Sequence, residues 1–519
     1  MSSRRVRVRF APSPTGPLHM GGVRTALYSY LFAKKHGGDF LLWIEDTDQN
    51  RFVPGAEDYI IASLKWCGIS PNEGVGFGDG PHAPYRQSER KALYRQYAEQ
   101  LERDGYAYLA FDTPEEMEAL RKEAEANKQN FAYDATTRTN LRNSLTMSSE
   151  EVAAAIASGE HYVIRLKVPQ NEEIAFTDLI RGEVSFRSHV VDDKVLLKGD
   201  GMPTYHLAHI VDDYLMEITH AIRGEEWLPS APAHILIYRY LGWENAMPQY
   251  AHLPLLLKPD GNGKLSKRDG DRLGFPVFPM DWNDPSSGEL SSGYKERGYY
   301  PEAFVNMLAF LGWNPGTEQE IFTLEELAQA FHIEQIQHAG AKFDPEKAKW
   351  FNEQHLRRRS ASVIAASIRG ELAKTYGMAA DDARLQETYL VKAVELLQPR
   401  VQFEHEMIAV GAYLFEAPSA YDEAVIAKKW KANYRPLFER LAAEWETQAA
   451  TTEDTLKAWF ESQCAAHGIK PGEVLQLLRV LVSGQGGGVD LFGMLVLLGA
   501  ATCASRLHKA LELELLKGE

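Results

Sequence analysis

The chain has 519 residues, 45% of them hydrophobic and 25% charged. That length predicts three or four domains, and the composition excludes disordered and collagen-like chains. Lys and Arg total 56 against 72 Asp and Glu, a net charge of −16, so a nucleic-acid partner has to be held on local patches rather than by bulk charge.

The first segment alternates Val6, Val8 and Phe10 with Arg5, Arg7 and Arg9, which predicts a strand. Pro12-Ser-Pro-Thr-Gly-Pro17 must be a loop. Val23, Ala26, Leu27, Tyr30 and Leu31 then recur at helical spacing, so a helix is expected from near Gly22. Phe40 to Ile44 reads as a buried strand. Pro54 opens a helix through Ile60, Ile61 and Leu64, and another runs from Ser88 through Leu93, Tyr97 and Leu101. Strand–helix alternation of this kind predicts a doubly wound parallel sheet, a Rossmann-like α/β fold. Thr113 to Asn130 reads as a charged helix and Tyr162 to Val168 as a short strand, together an inserted α+β domain. Strand-and-helix order is expected to resume at Val195 to Leu197 and at Ile218 to Ile222. Residues 270–300, rich in Gly, Pro and Ser, are expected to be an exposed loop.

Residues 341–519 differ from the rest. They carry −2 of the net charge and five of the 25 prolines, and interior proline breaks helices. Tyr389, Ala393, Leu396 and Leu397 recur at helical spacing, as do Val474, Leu477, Leu478 and Leu481. The expected division is therefore a Rossmann-like domain over 1–110 and 190–255, an insertion over 111–189, a loop-bearing region over 256–340 and an all-helical region over 341–519.

Cys67, Cys464 and Cys503 form no CxxC, so neither a disulfide framework nor a cysteine zinc site is expected. The N-terminus lacks the apolar core of a signal peptide. The longest apolar run, Leu491 to Ala501, is too short to cross a bilayer. A soluble cytoplasmic protein is expected.

Two constellations carry chemistry. Pro12-Ser-Pro-Thr-Gly-Pro-Leu-His-Met-Gly-Gly22 joins the first strand to a helix, the crevice where open α/β sheets bind ligands. A helix start offers free N–H groups and a positive dipole end to phosphate. Gly21 and Gly22 let a nucleotide approach the backbone, and His19 stands ready to donate to phosphate oxygen. The second is Gly263-Lys-Leu-Ser-Lys-Arg-Asp-Gly270, a cationic loop whose lysines are point charges suited to a triphosphate.

In this order, an HxGx signature after the first strand and a later K-x-S-K resemble the class I aminoacyl-tRNA synthetases. Arg9-Phe-Ala-Pro-Ser-Pro-Thr-Gly16, Trp43-Ile-Glu-Asp-Thr-Asp48, Pro84-Tyr-Arg-Gln-Ser-Glu-Arg90, Val211-Asp-Asp213 and Ile222-Arg-Gly-Glu-Glu226 narrow the resemblance to bacterial-type glutamyl-tRNA synthetases, over essentially the whole chain. The resemblance implies activation of L-glutamate by ATP, with Mg²⁺ accompanying the triphosphate, and transfer to the end of tRNA(Glu). It implies His19, Gly21, Gly22, Lys264, Ser266 and Lys267 as catalytic residues. ATP would meet His19, Gly21, Gly22, Glu226, Leu257 and Lys267. Glutamate would meet Arg9, Ala11, Ser13, Glu45, Tyr205, His209 and Arg223, with the arginines on its carboxylates and Glu45 on its ammonium. For Arg9 the alternative is a solvated strand face, but a doubly covered strand should carry no arginine inside without a purpose. For His209 a merely packed ring is the alternative. Asp46 and Asp48 read as turn and cap carboxylates.

Some relatives place zinc-binding cysteines after the positions matching Tyr106 to Phe111. This chain has none there, and zinc is not expected. Arg400 matches the position where discriminating relatives carry an arginine that reads the third anticodon base. Its alternative is a solvated arginine after Pro399. Arg357-Arg-Arg359 and Lys428-Lys-Trp-Lys431 are expected to meet tRNA phosphates or water, and Trp430 to pack. A monomer is expected. The alternatives in function are an enzyme that also charges tRNA(Gln) and an inactive RNA-binding relative.

Overall fold

Local sequence begins the main sheet. The Arg/Val alternation forms β1 (Arg7–Phe10), and His19 caps α1 (Met20–Lys35), its Nδ1 accepting from the Gly21 amide at 3.0 Å. In chain order there follow β2 (Asp39–Leu42), α2 (Ala56–Trp66), β3 (Glu73–Gly74), α3 (Lys91–Arg103), β4 (Ala107–Ala110), α4 (Pro114–Ala126), α5 (Ser149–Ala157) and β5 (Val163–Leu166). Next come β6 (Glu173–Asp178), β7 (Gly182–Arg187), β8 (Val195–Leu197), α6 (Tyr205–Leu215), β9 (His220–Gly224), α7 (Ala231–Tyr240), β10 (Gln249–Leu253) and β11 (Leu256–Leu257). The unit continues through α8 (Lys267–Leu273), β12 (Trp282–Asn283), β13 (Leu290–Ser291), α9 (Pro301–Ala309), α10 (Leu324–Ala330) and β14 (Ala341–Lys342). This computed structural model describes residues 4–447 and 452–516, apart from the side chains of Lys267, Arg268, Asp271 and Leu515. It divides into two units, Met1–Ala348 and Lys349–Glu519.

β3, β2 and β1 pair in parallel, and β9, β10 and β6 pair in parallel with β7 antiparallel at the edge. The Thr219 amide, just before β9, donates to the Arg7 carbonyl at 2.9 Å and joins the two halves. The order is therefore β3-β2-β1-β9-β10-β6-β7, and the direction of winding reverses between β1 and β9. In doubly wound sheets that switch point opens a ligand crevice at the carboxyl ends of the strands. Val8, Phe40, Leu41, Leu42, Trp43 and Ile44 are at most 1% exposed. Each such side chain contributes about 1.5–3 kcal/mol by burial, which fixes the strands that flank the crevice.

The structure moves several expected boundaries. The first helix starts at Met20, two residues before Gly22, because the His19 ring supplies the cap that a Ser or Asp usually gives. Gly21 and Gly22 thus lie within its first turn, not in a turn before it. The helix expected from Pro54 starts at Ala56, and the charged helix over 113–130 ends at Ala126. The strand at Val195–Leu197 does not return to the main sheet. It pairs antiparallel with β5, which pairs antiparallel with β4. The insertion's sheet therefore takes in residues on both sides of the 111–189 limits. β6 leaves the insertion to join the main sheet, and one apolar core runs through both regions. Residues 341–348 go with the first unit, since β14 pairs in parallel with β11.

Residues 270–300 are the clearest correction. They are not an exposed loop. Phe275, Val277, Phe278, Trp282, Tyr294 and Tyr299 are buried, β12 and β13 form a short hairpin, and its tip at 285–290 is exposed. Turn residues signalled the loop correctly at that tip, but interspersed aromatics anchor the rest.

The second unit is helical as its periodicity predicts. Beyond α11 (Pro345–Arg358), it contains α12 (Ala361–Thr375), α13 (Glu387–Leu397), α14 (Glu406–Val410), α15 (Ala412–Phe415), α16 (Glu423–Lys429), α17 (Arg435–Glu444), α18 (Glu453–Ala466), α19 (Pro471–Ser483), α20 (Leu491–Leu498) and α21 (Ala500–Leu511). Val474, Leu477, Leu478 and Leu481 are fully buried on one face of α19. Among the described residues no single helix is long and apolar enough to cross a membrane.

Candidate active site

A cavity of about 260 Å³ lies at the switch point, where β1 runs into Ala11–Ser13 and β9 ends at Gly224. Arg9, Ala11, Ser13, Gly21, Gly22, Glu45, Tyr205, His209, Arg223 and Glu226 line it, with Thr25 and Trp227. Each glutamate-contact residue expected from the sequence therefore meets one space. His19, Leu257, Lys264 and Ser266 stand outside its lining.

Arg9 is 3% exposed, so the solvated-face alternative is excluded. Its Nε and Nη2 grip the two oxygens of Asp213, on α6, at 3.0 and 3.1 Å. Burying an arginine is tolerable only with such a partner. Arg9 Nη2 also donates to His209 Nε2 at 2.7 Å, so the other ring nitrogen carries the proton and faces Glu45 Oε1 at 3.3 Å. Burial, with Arg9 and Arg223 beside it, keeps His209 well below the usual histidine range. His209 is thus a neutral link between Arg9 and Glu45, packed and cavity-lining at once. Burial pushes the Glu45 carboxyl up to about 8, against the pull of Arg9.

Arg223 is 5% exposed. Its Nη1 donates to the Tyr205 hydroxyl at 3.0 Å, its Nε donates to His252 Nε2 at 3.1 Å, and its plane lies over the Tyr250 ring at 5.1 Å. Its Nη2 is buried with no hydrogen-bond partner among the described residues. Tyr205 in turn packs against Trp227, ring centres 4.4 Å apart. The cavity therefore presents two clamped guanidinium groups and one carboxyl whose charge is held back by burial. An α-amino dicarboxylate carries the complementary set.

At the α1 end of the cavity Gly21 and Gly22 are half-buried in the first turn, where the helix dipole is positive. The free N–H groups expected of a helix start are already bonded here, Gly21 to His19 Nδ1 at 3.0 Å and Gly22 to the His19 carbonyl at 2.8 Å, because the His19 ring folds back as the cap. A Cβ on Gly22 would come within 2.6 Å of Leu18 Cδ1, so a side chain there would require Leu18 to shift. The Met20 amide donates to the Val277 carbonyl at 2.9 Å, and the His19 ring meets Phe278 edge-on at 6.3 Å. The segment expected as an exposed loop thus buttresses the helix start.

The second constellation is a loop only as far as Ser266, and α8 begins at Lys267. Asp269 Oδ2 accepts from the Ser266 amide at 3.0 Å and its hydroxyl at 2.6 Å, which folds the turn. Those bonds hold the Asp269 carboxyl down to about 2. Lys264 Nζ pairs with Glu226 Oε1 at 2.9 Å, tying the loop to the cavity wall. Leu257 bridges to Lys264 across the loop. The Lys267 side chain lies outside the described part.

Asp46 accepts from the Ser88 amide and hydroxyl, a tie across 42 residues rather than a local turn, and Asp48 stands at the start of a short turn where its side chain pairs with Arg51 instead of capping. Among the described residues no three His, Cys, Asp or Glu side chains form a metal-holding cluster. In the helical unit, Arg400 ends a short turn after α13 and is exposed. It lies close enough to Tyr413 and Arg479 to act on both electrostatically. Arg357 pairs with Glu353 within α11, and Trp430 packs against Phe438 at 5.7 Å.

Sequence reasoning took Asp213 only as part of a motif and did not single out Trp227 or Asp178. One signal was available for Asp213, since an arginine inside a covered strand requires an acid opposite it.

Fold and site define the class. The family model described as tRNA synthetases class I (E and Q), catalytic domain, matches residues 5–350, and an anticodon binding domain model matches 369–511. A glutamate–tRNA ligase from Parabacteroides distasonis is 52% identical over 99% of this chain and 100% of its own length. One from Porphyromonas gingivalis is 52% identical over 99% of each. The crystal structure of a glutamate tRNA ligase from Elizabethkingia meningosepticum in complex with its amino acid superposes with a TM-score of 0.92, at 45% identity, covering 98% of this chain and 99% of that one. The chain belongs to the glutamate–tRNA ligase family.

Proposed function

We infer that this chain activates L-glutamate with ATP and transfers it to tRNA(Glu). The observation that carries the reading is the single cavity in which Arg9, Arg223 and Glu45 face the first turn of α1. The α-carboxylate attacks the α-phosphorus and releases pyrophosphate; the terminal ribose hydroxyl of the tRNA then attacks the adenylate carbonyl. Neither step requires a protein nucleophile, so the work of the chain is positioning and charge stabilisation.

Arg9 and Arg223 take the substrate carboxylates and Glu45 the ammonium, with Ala11, Ser13, Tyr205 and His209 shaping the pocket. The ammonium supplies the positive neighbour that Glu45 lacks and draws it into the ionised form. Gly21 and Gly22 admit the phosphates, with His19, Glu226 and Leu257 around the nucleotide. Lys264, Ser266 and Lys267 bring the second loop to the triphosphate. Mg²⁺ comes with the triphosphate, whose oxygens are its preferred ligands. The helical unit reads the anticodon, with Arg400 at the third base. The enzyme acts as a cytoplasmic monomer.

The test is amino-acid-dependent exchange of pyrophosphate into ATP, with and without tRNA(Glu), followed by charging of that tRNA. Exchange driven by glutamate and not by glutamine is expected. Exchange driven equally by both, or by neither under any condition, would defeat the reading.

A further inference from the structure

We propose that Asp178 and His252 are positioning residues that lock Arg223 in one hydrogen-bonding orientation and thereby set the grip on the substrate carboxylate. The proposal rests on the reading that Arg223 binds that carboxylate. The three residues come from adjacent strands. Arg223 on β9 lies opposite His252 on β10, and Asp178 ends β6 beside it. Neither Asp178 nor His252 lines the cavity, and both side chains are fully buried.

The geometry allows one proton arrangement. A guanidinium has donors only, so His252 Nε2, 3.1 Å from Arg223 Nε, must accept. The ring proton then sits on Nδ1, which donates to Asp178 Oδ2 at 2.6 Å. Asp178 Oδ1 meanwhile accepts from the backbone amides of Ile180 and Arg181, both at 3.0 Å. Burial keeps the His252 ring below the usual histidine range despite Asp178, in keeping with a neutral ring. With Nε committed to His252 and Nη1 to Tyr205, the plane of the guanidinium is fixed where Arg223 lines the cavity, and Nη2 is left without a hydrogen-bond partner among the described residues. Outer partners of this kind orient a binding group without touching the ligand, as they do around metal-bound histidines. β6 belongs to the segment that the sequence assigns to the insertion, so the insertion braces a pocket residue from behind without lining the pocket.

Asp178→Asn separates orientation from shape. The Ile180 and Arg181 amides hold the new amide oxygen at the Oδ1 position, which turns its NH₂ toward His252 Nδ1. The ring must accept there and carry its proton on Nε2, against the N–H of Arg223 Nε. The expected result is a glutamate KM raised roughly 10–100-fold, the usual scale for losing an outer partner, with ATP KM nearly unchanged and Tm lowered, because the buried Asn NH₂ also meets the His252 backbone amide that Asp178 Oδ2 accepts from at 3.2 Å. Nitrogen-15 imidazole NMR should find the His252 proton on Nδ1 in the wild type and on Nε2 in the variant. Arg223→Gln, measured in parallel, should raise glutamate KM further. If Arg223→Gln left glutamate KM unchanged, the carboxylate reading would fail and the proposal with it. If Arg223→Gln acted but Asp178→Asn did not, or raised ATP KM equally, the proposal alone would be overturned. Should the Asn variant fail to fold, the wild-type ring decides: a proton on Nε2 refutes the lock, and one on Nδ1 supports it.

Discussion

The two units bury arginine for different ends. In the first, Arg9 is paired with Asp213 and Arg223 is held by Tyr205 and His252, and both line a cavity. In the second, Arg506 on α21 is 6% exposed, with no acid in its bonds. It donates to the carbonyls of Tyr413 at 2.7 Å, Val482 at 3.1 Å and Glu416 at 2.8 Å. Those carbonyls lie in or just after α15 and α19, where helices leave acceptors unsatisfied. Arg506 also lines a cavity, of about 550 Å³, and its Nε has no hydrogen-bond partner among the described residues, yet all its bonds go to backbone carbonyls, so it is a tie between helix ends. Arg9 and Arg223 are held in part by side chains, His209 and Tyr205, that line the same cavity as they do. A buried guanidinium beside a cavity does not by itself mark a functional site; one whose side-chain partners share that cavity does.

The largest effect that tests this contrast comes from Arg9→Ala. It leaves Asp213 buried and uncompensated, a cost of about 3–5 kcal/mol for a broken buried pair. The kcat/KM for glutamate should fall by roughly two to three orders of magnitude, and the preference for glutamate over glutamine should shrink with it. An unchanged glutamate-to-glutamine ratio would remove Arg9 from the pocket's chemistry. Arg506→Leu should do the reverse. Each carbonyl left unpaired costs about 1–3 kcal/mol, so chemical denaturation should show a weakened helical unit. Glutamate-dependent pyrophosphate exchange per folded molecule should hold its wild-type rate. Loss of exchange at full stability would break the contrast.

Arg400 sharpens it from a third side, as an exposed arginine without a buried task. Cytosine offers acceptors on its pairing edge and guanine offers donors, so an arginine fork favours the first. Arg400→Gln should relax rejection of tRNA(Gln) by roughly 1–3 kcal/mol, the usual scale of one mismatched base contact. Comparing kcat/KM on the two tRNAs reads this directly, and identical ratios in wild type and variant would leave Arg400 a solvated residue.

The smallest effect is in pH. Glu45, raised to about 8 by burial, keeps its proton in the folded chain at pH values where the unfolded chain has released it. Its contribution to stability is fully present below the ordinary carboxyl range and is lost as pH rises through about 8. The glutamate ammonium needs the ionised form. Glutamate KM should therefore fall as pH rises from 7 to 8, by at most about tenfold per unit, and the Tm gain from glutamate should grow. A Glu45→Gln variant that kept the same slope would assign the effect elsewhere.

How much of this was legible in the sequence varied with the range of the interactions involved. The first strand, the helix after it, the helical last third and the two loops with chemistry were readable because each rests on neighbours a few residues apart. Pattern at a spacing of two or three to four residues decides those elements before any tertiary contact forms. The resemblance supplied the residues of the pocket. It left open whether Arg9 was buried, since an alternating strand looks the same with one face wet or both covered. Packing of α6 against the sheet, with Asp213 set against Arg9, decided that.

The tertiary structure alone placed Val195–Leu197 in the insertion's sheet, carried β6 into the main sheet and anchored residues 270–300 behind His19. A three-residue strand does not encode its partner, and loop composition does not show which aromatics find a core. Strand pairing across 74 residues brings Asp178 to His252, and nothing local to either residue announces it. The sequence determined which chemical groups this protein owns and which short elements carry them. Long-range pairing and burial decided which of those groups share a low-dielectric space, where a charge must be paired, neutralised or left for a ligand.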